Sequence, residues 1–238
     1  MRNYSPRFVF VVSTSGSVMN QVLASASLRK VVHAVVADRP CPALEKAAAW
    51  NVPTVLFGEA EPERFCERLN RYMAEQGIDY ILSFYTQFYS RTFREKFQDR
   101  IVNFHPSLLP AFKGMDGFGD GMAYHTKIIG TTVELIKDVM DEGKIVMQTA
   151  CVVDPCLSQT AMRHRIFVQQ CKTLLQVVQW IVEDRVRIAG DRVTILGARY
   201  HDLEFVPALE CRDAVDLSVT WPAPVPSAAA PQCATLSG

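Results

Sequence analysis

The sequence lacks the features that mark a membrane protein or a nucleic-acid-binding protein. No apolar run within its 238 residues approaches the length that spans a bilayer. Lys and Arg together number 25, as do Asp and Glu, so the formal net charge is zero, and no basic tract is present to cover a phosphate backbone. We therefore expect neither a membrane nor a nucleic acid as a partner.

The cysteines do not form a pattern typical of disulfide frameworks or metal sites. There are seven, an odd number, and they are scattered without a C-x-x-C pair or a Cys/His spacing typical of zinc. The N-terminus also lacks a signal-peptide pattern, because a short apolar run follows Arg7 directly. We expect reduced thiols, no bound metal and a cytoplasmic location.

Strand-like and helix-like segments alternate through the first half of the chain, which predicts an α/β fold. The predicted strands are 8–13, 31–37, 52–57, 80–84 and 101–104, and the predicted helices are 20–28, 42–50, 61–76 and 91–97. Strands separated by helices form parallel sheets, whose ligands bind at the carboxyl ends of the strands. The loops after Val12, Phe84 and Phe104 should therefore share one edge.

The pattern changes after residue 130. Two consecutive strands at 131–136 and 144–153 are joined by a short turn, so we expect them to be antiparallel. A long helix at 160–184 and a last strand at 193–196 follow. The predicted fold is a Rossmann-like open, mostly parallel twisted sheet with helices on both faces and a C-terminal antiparallel portion. We expect one domain over 1–219 and a disordered Pro/Ala-rich tail over 220–238.

The most informative stretch is 101–110, Ile-Val-Asn-Phe-His-Pro-Ser-Leu-Leu-Pro. Side chains alternate along a strand, so Asn103 and His105 should point to the same face. Pro106 cannot extend the hydrogen-bond ladder, which places the pair at the end of the strand. An amide donor beside a titratable imidazole suits a reaction that develops negative charge on oxygen. Taken alone, the pair also fits a structural role at a turn.

A second motif carries the resemblance to a known family. Gly-Thr-Thr-Val at 130–133 is followed by Met-Asp-Glu-Gly-Lys-Ile-Val-Met-Gln at 140–148. Together with Asn-x-His-Pro-Ser-Leu-Leu-Pro, this pattern resembles the folate-dependent formyltransferases, and most closely the glycinamide ribonucleotide formyltransferases. The similarity is dense over 100–150 and weaker over about 7–185. Asp141 alone reads as an exposed turn residue, but in this frame it matches a family catalytic position.

The resemblance implies an enzyme that transfers a formyl group from 10-formyltetrahydrofolate to an amine nitrogen of a small molecule, without a metal. It implies catalytic roles for Asn103, His105 and Asp141, with Asn103 and His105 stabilising a tetrahedral intermediate and Asp141 assisting proton transfer. The implied folate-binding residues are Phe84, Thr86, Gln87, Phe88, Tyr89, Val139 and Met140. The implied acceptor-binding residues are Gly16, Ser17, Val18 and Gln170. The protein is expected to be a monomer or a homodimer.

Several acceptor-side positions depart from the family pattern. The family's Gly- and Asn-rich phosphate loop aligns with Thr14 to Val18, where Thr14 loses the freedom of glycine and Val18 cannot supply a polar contact. The family's His-x-His aligns with Asp116 and Phe118, a further His with Glu134, and a Glu with Gln170. Carboxylates at 116, 120 and 134 suit a cationic amine, derived for example from an amino acid or its hydroxylamine, or else are solvated surface charges.

Other functions stay open. A hydrolase that releases formate from the same donor shares the Pro-Ala-Phe-Lys-Gly run at 110–114. Sugar-nucleotide formyltransferases and methionyl-tRNA formyltransferases are disfavoured, because the remaining residues barely supply their C-terminal modules and offer no basic surface for tRNA. A non-catalytic folate-binding protein is the alternative from a different class. The sequence does not name the acceptor.

Overall fold

A computed structural model describes residues 5–219 of the chain. The strands are β1 (Phe8–Val12), β2 (Val32–Ala37), β3 (Thr54–Leu56), β4 (Tyr80–Phe84), β5 (Ile101–His105), β6 (Ile128–Leu135), β7 (Lys144–Val152), β8 (Val186–Ala189), β9 (Arg192–Ile195) and β10 (Phe205–Val206). The helices are α1 (Ser17–Val22), α2 (Ala26–Val31), α3 (Pro42–Ala49), α4 (Pro62–Gln76), α5 (Arg91–Lys96), α6 (Gly117–Ala123), α7 (Gln159–Val182) and α8 (Arg212–Val215). The predicted tail at 220–238 lies outside the described residues.

Eight of these strands form one sheet in the order β10-β7-β6-β5-β4-β1-β2-β3. The five adjacent strands β5, β4, β1, β2 and β3 are parallel. Strand β6 pairs antiparallel with β5, β7 with β6, and β10 with β7. Strands β8 and β9 form a separate hairpin. The predicted mostly parallel sheet with a C-terminal antiparallel portion is confirmed.

Side-chain alternation along the buried strands divides the core between the two faces of the sheet. Phe8, Phe10 and Val12 of β1 pack with α1, α2, α3 and α7 on one face. Val9 and Val11 pack on the opposite face with α4 and α5, through residues such as Phe65, Leu69 and Phe93. The helices on both faces that the sequence predicts are therefore present.

On the face of the sheet that packs against α4 and α5, the part beyond α5 is covered by a loop and not by a helix. Strand β6 runs antiparallel to β5, so Leu135 lies opposite Val102 while Thr132 lies opposite His105. The segment 136–143, here called the return loop, therefore starts about 10 Å from the level of His105, given about 3.4 Å per residue. It folds back along the sheet and brings Asp141 to His105.

Two helices differ from the sequence-based expectation. The predicted helix at 20–28 is replaced by α1 and α2, because Ser25 begins a new helix by accepting a hydrogen bond from Leu28 N on its Oγ. Helix α6 was not predicted, since its sequence Gly-Phe-Gly-Asp-Gly-Met-Ala is rich in a residue that disfavours helices. Asp116 caps it by accepting from Gly119 N.

Candidate active site

The centre of the candidate site is a contact between an imidazole and a carboxylate. His105 Nδ1 lies 3.3 Å from Asp141 Oδ1, and each side chain is only 6% exposed. On the other side of the ring, Nε2 lies 3.0 Å from the carbonyl oxygen of Phe112. Both ring nitrogens thus face acceptors, and a neutral imidazole can donate to only one of them, whereas an imidazolium donates to both.

Backbone conformation holds both acceptors against the ring. Asp141 and Phe112 have φ values of 57° and 54°, in the left-handed region that is unusual for a residue as bulky as phenylalanine. The second oxygen of Asp141 accepts from Gly114 N at 2.6 Å. A β-carbon at Gly117 would lie 2.6 Å from Phe112 O and 2.7 Å from His105 Nε2, so only glycine leaves room for this contact.

Asn103 is held by a carboxylate on the neighbouring strand. Its Nδ2 donates to Glu134 Oε1 at 3.0 Å, and Glu134 Oε2 accepts from Gly143 N at 2.7 Å. The two side chains belong to residues directly opposite each other in the β5–β6 ladder. Burial raises the pKa of Glu134 and Asp141 adds to that effect, while the hydrogen bonds from Asn103 and Gly143 and the nearby His105 oppose it.

This placement corrects the sequence-based view of Glu134. It was interpreted either as a carboxylate at the mouth of an acceptor site or as a solvated surface charge. Glu134 is 1% exposed, and both of its oxygens accept hydrogen bonds from the protein. A buried carboxylate needs such partners because desolvation without them is costly. An acidic residue inside the apolar strand Thr-Thr-Val-Glu-Leu-Ile was the signal for this buried role.

A cavity of about 150 Å³ lies between the sheet and the return loop. Asn103, His105 and Asp141 line it together with Glu134. Six of the seven residues predicted to bind folate also line it: Thr86, Gln87, Phe88, Tyr89, Val139 and Met140. The seventh, Phe84, does not, because its ring stacks on Phe104 at 5.2 Å and on Phe10 at 6.3 Å. The sequence therefore predicts most of one continuous cavity wall.

Arg94 joins the two walls of this cavity. Its guanidinium lies 4.1 Å from the ring centre of Phe88 and donates to the carbonyl oxygen of Tyr89. It also donates to Asp138 O in the return loop at 3.3 Å. The segment 85–89 is anchored to β1 as well, because Thr86 N donates to Ser13 Oγ at 3.2 Å. Sequence analysis missed Arg94, whose position in helix α5 gives no motif signal.

The predicted acceptor-binding residues lie outside this cavity. Gly16 has a φ of 60° and precedes α1, where Ser17 begins the helix. Val18 is 7% exposed and packs in the core of the opposite face, so only its backbone is available to a ligand. Gln170 comes from α7 and donates from Nε2 to Phe104 O at 3.3 Å. Gln170 thus approaches the end of β5 from the face opposite the cavity, whereas residues 16–18 follow β1.

The other two carboxylates proposed for an acceptor lie on or next to α6. Asp116 caps that helix and forms an ion pair with Arg163 at 3.2 Å, and the Arg163 guanidinium lies 4.3 Å from the Phe118 ring centre. Asp120 is exposed. Asp116 therefore already has a cationic partner within the chain, in an exposed ion pair.

Residues 5–219 contain neither a candidate metal-binding cluster nor a candidate membrane-spanning helix. Within residues 5–219, no three or more His, Cys, Asp or Glu side chains are grouped so that they could hold a metal ion. No helix in that part of the chain is both long enough and apolar enough to cross a membrane.

Comparisons with known proteins agree with the motifs. The family model described as formyl transferase matches residues 6–178. A phosphoribosylglycinamide formyltransferase from Mycobacterium tuberculosis is 30% identical over 195 residues, which cover 79% of this chain and 91% of that protein. The structure of glycinamide ribonucleotide transformylase 1 from Symbiobacterium toebii has a TM-score of 0.75 at 27% identity, and the match covers 82% of this chain and 96% of that one.

A protein named for a different activity is also similar. The crystal structure of a formyltetrahydrofolate deformylase from Pseudomonas putida has a TM-score of 0.71 at 27% identity, over 82% of this chain and 72% of that one. The fold is thus shared with proteins named as transformylases and as deformylases. On the extent of the family match, this chain belongs to the formyl transferase family, which confirms the identification made from its Asn-x-His and Met-Asp-Glu-Gly motifs.

Proposed function

We propose that this chain transfers a formyl group from 10-formyltetrahydrofolate to the amine nitrogen of a small acceptor. The observation that carries the proposal is the single cavity lined by Asn103, His105, Asp141 and the residues of segments 86–89 and 139–140. It combines an amide donor, a buried imidazole–carboxylate pair and walls with apolar surface for a flat ring system.

The chemistry requires one bond to form and one to break. The acceptor nitrogen attacks the formyl carbon, whose oxygen becomes an oxyanion, and the bond from that carbon to N10 of the folate then breaks. One proton is lost by the attacking nitrogen and one is gained by N10. The site must therefore supply donors to the oxyanion and a group that moves a proton.

In this proposal Asn103 and His105 donate to the oxyanion. Asn103 Nδ2 carries two hydrogens. One is donated in a hydrogen bond to Glu134, which leaves the other for the ligand. His105 Nε2 has a single N–H and lies 3.0 Å from the Phe112 carbonyl, so in this proposal the oxyanion shares that hydrogen with the carbonyl oxygen. Asp141 holds the opposite edge of the ring and assists transfer of the amine proton, directly or through water.

We propose glycinamide ribonucleotide as the first acceptor to test, because that substrate class appears in the names of the relatives. Support from this chain is the left-handed Gly16 before α1 and Lys46, whose Nζ lies 2.8 Å from Ser15 O beside the same loop. A cationic amine derived from an amino acid, or its hydroxylamine, is the second candidate. Its support is reduced, because Glu134 and Asp116 are engaged within the protein.

A second candidate function is hydrolysis of the same donor. The similarity to the Pseudomonas putida deformylase and the shared run at 110–114 favour it. In that reaction water replaces the amine, and formate leaves. The cavity residues would serve both reactions, so only turnover distinguishes them.

The test is a spectroscopic assay of donor turnover with 10-formyltetrahydrofolate or its deaza analogue. The reaction is run without acceptor, with glycinamide ribonucleotide, and with ornithine, N-hydroxyornithine and amino sugars. Turnover that depends on one amine supports transfer and identifies the acceptor. Equal turnover without any amine supports hydrolysis. Binding of the folate by folded protein with no turnover in any reaction would contradict hydrolysis and all the acceptors tested, and would leave an acceptor outside the panel or a binding protein.

A further inference from the structure

Among residues 5–219, Glu134 is the one acidic side chain that lines the cavity without a part in the chemistry proposed above. It is almost fully buried, and its two oxygens accept from different parts of the chain: Asn103 Nδ2 on β5 and Gly143 N at the end of the return loop. This pattern of one donor for each oxygen fits an ionised carboxylate, which accepts hydrogen bonds and donates none.

That pattern has a consequence for the orientation of Asn103. An asparagine amide can be rotated by half a turn with little change of shape, which exchanges its oxygen and its nitrogen. Beside a carboxylate only the nitrogen end is favourable, because the oxygen end would face another acceptor. The neutral imidazole that the family pattern has at this position can donate or accept, so it does not impose the same choice.

We propose that Glu134 is a positioning residue, which fixes the Asn103 amide with its nitrogen toward Glu134 and so keeps the second N–H available to the formyl oxygen. The inference rests on the proposed function, since it assigns Glu134 a part in the same reaction. Glu134 acts through Asn103 and does not itself touch the formyl group.

The neighbouring backbone is arranged for this contact. A β-carbon at Gly143 would lie 2.5 Å from Glu134 Oε2 and 2.4 Å from Leu135 O, so glycine is required for the close approach of its N–H. The same carboxylate thereby anchors the end of the return loop. The charged or titratable side chains acting on Glu134 are Asp141 from that loop and His105 from β5.

The decisive variant is Glu134→Gln, which preserves the shape of the side chain and removes its preference for the nitrogen end of the Asn103 amide. Its Oε1 can still accept from Gly143 N, but its Nε2 then faces Asn103, and the hydrogen bond is recovered only if the Asn103 amide reverses. All hydrogen bonds are satisfied in that arrangement, so the protein should stay folded. We expect kcat to fall about 100-fold, the cost typical of losing one oxyanion donor, while the donor KM changes less than threefold.

The matched control is Thr131→Val on the same strand. Thr131 is also fully buried, and its Oγ1 has no hydrogen-bond partner among residues 5–219, so its removal should leave kcat unchanged. A purely structural Glu134 predicts that Glu134→Gln keeps wild-type kcat, and kcat within twofold of wild type would overturn the proposal.

A second measurement needs no variant to fold. In wild-type protein with ¹⁵N-labelled asparagine, one of the two Asn103 side-chain protons should exchange slowly with solvent, because it is bonded to Glu134. Exchange of both protons at the rate of a free amide would contradict the proposal. Should wild-type protein show no formyl transfer, the proposed function fails, while this measurement still reports whether Glu134 fixes the amide.

Discussion

The imidazole of His105 lies between two acceptors, Asp141 Oδ1 at 3.3 Å and the Phe112 carbonyl at 3.0 Å. The Asp141 contact is buried on both sides, so water screens it little, and the charge of the carboxylate acts on the ring at close range.

Asp141→Asn should lower kcat by about 10²- to 10⁴-fold, the range typical of losing acid–base assistance. The amide oxygen can still accept from Gly114 N, so the loop should keep its conformation. Steady-state turnover, together with the thermal unfolding midpoint, measures the effect. Asp138→Asn, an exposed change in the same loop, is the control and should keep wild-type kcat. Equal loss in both variants would point to disturbance of the loop instead.

Gly117→Ala should lower kcat at least tenfold by a steric effect. The added β-carbon would meet both Phe112 O and His105 Nε2 within 2.7 Å, so that contact must open. Gly121→Ala in the same helix is the matched control, because its nearest neighbours lie 3.5 Å away or more. Turnover of the two variants at saturating donor provides the comparison. A Gly117→Ala enzyme with wild-type kcat would show that the close approach is dispensable.

Arg94→Met should raise the KM for the folate donor up to about tenfold with a smaller change in kcat. The substitution removes the stacking on Phe88 and the hydrogen bonds to Tyr89 O and Asp138 O, which together hold the two walls. Arg91→Met, in the same helix but exposed and paired with Glu95, serves as control. Direct folate titration by fluorescence checks the result, and equal affinities of the two variants would refute it.

Asp213→Asn should destabilise the fold at neutral pH by about 1 kcal/mol, because Ser25 and Ser27 both donate to the carboxylate. These hydrogen bonds lower the pKa of Asp213 below its ordinary 3.8. A carboxyl whose pKa is lower in the folded state stabilises the fold above its unfolded pKa and loses that contribution as pH falls through the folded pKa.

Urea unfolding of wild type and Asp213→Asn, from about pH 7 to below the ordinary pKa of the Asp213 carboxyl, measures the effect. The difference in unfolding free energy should stay constant from about pH 7 to 5 and shrink below the ordinary pKa of the group. Ser27→Ala keeps the charge and the Ser25 cap, and it should lose only part of the stability. A difference that grows as pH falls would have the wrong sign.

Local sequence predicted those parts of the site that depend on one strand at a time. Strand alternation and Pro106 placed Asn103 and His105 on one face at the end of β5, and the residues after β4 proved to line the same cavity. The contact of His105 with Asp141 was expected on the condition that the turn folds over the strand end. These features follow from short-range geometry.

What the sequence did not predict depends on partners distant along the chain. The role of Glu134 follows from its register opposite Asn103, which no local pattern specifies. Helix α6 forms because Asp116 caps it and Phe118 packs with Met162 and Ile166, which offsets its glycines. Val18 is predicted to contact substrate, and because its position in the helix turns the side chain into the core, only its backbone is available for that contact.

The return loop is tied at both ends and along its length. It continues directly from β6 into β7, and Lys137, Asp141 and Glu142 are bound to Asp191, Gly114 and Lys113 respectively. These contacts join the loop to three other segments of the chain and restrain its movement over the cavity. The length of the loop also determines the distance between Asp141 and His105, because deleting one residue would move Asp141 away by up to about 3.4 Å. Because β6 runs antiparallel to β5, the return loop has to fold back along the sheet to reach His105, and the length of that path sets the depth of the cavity.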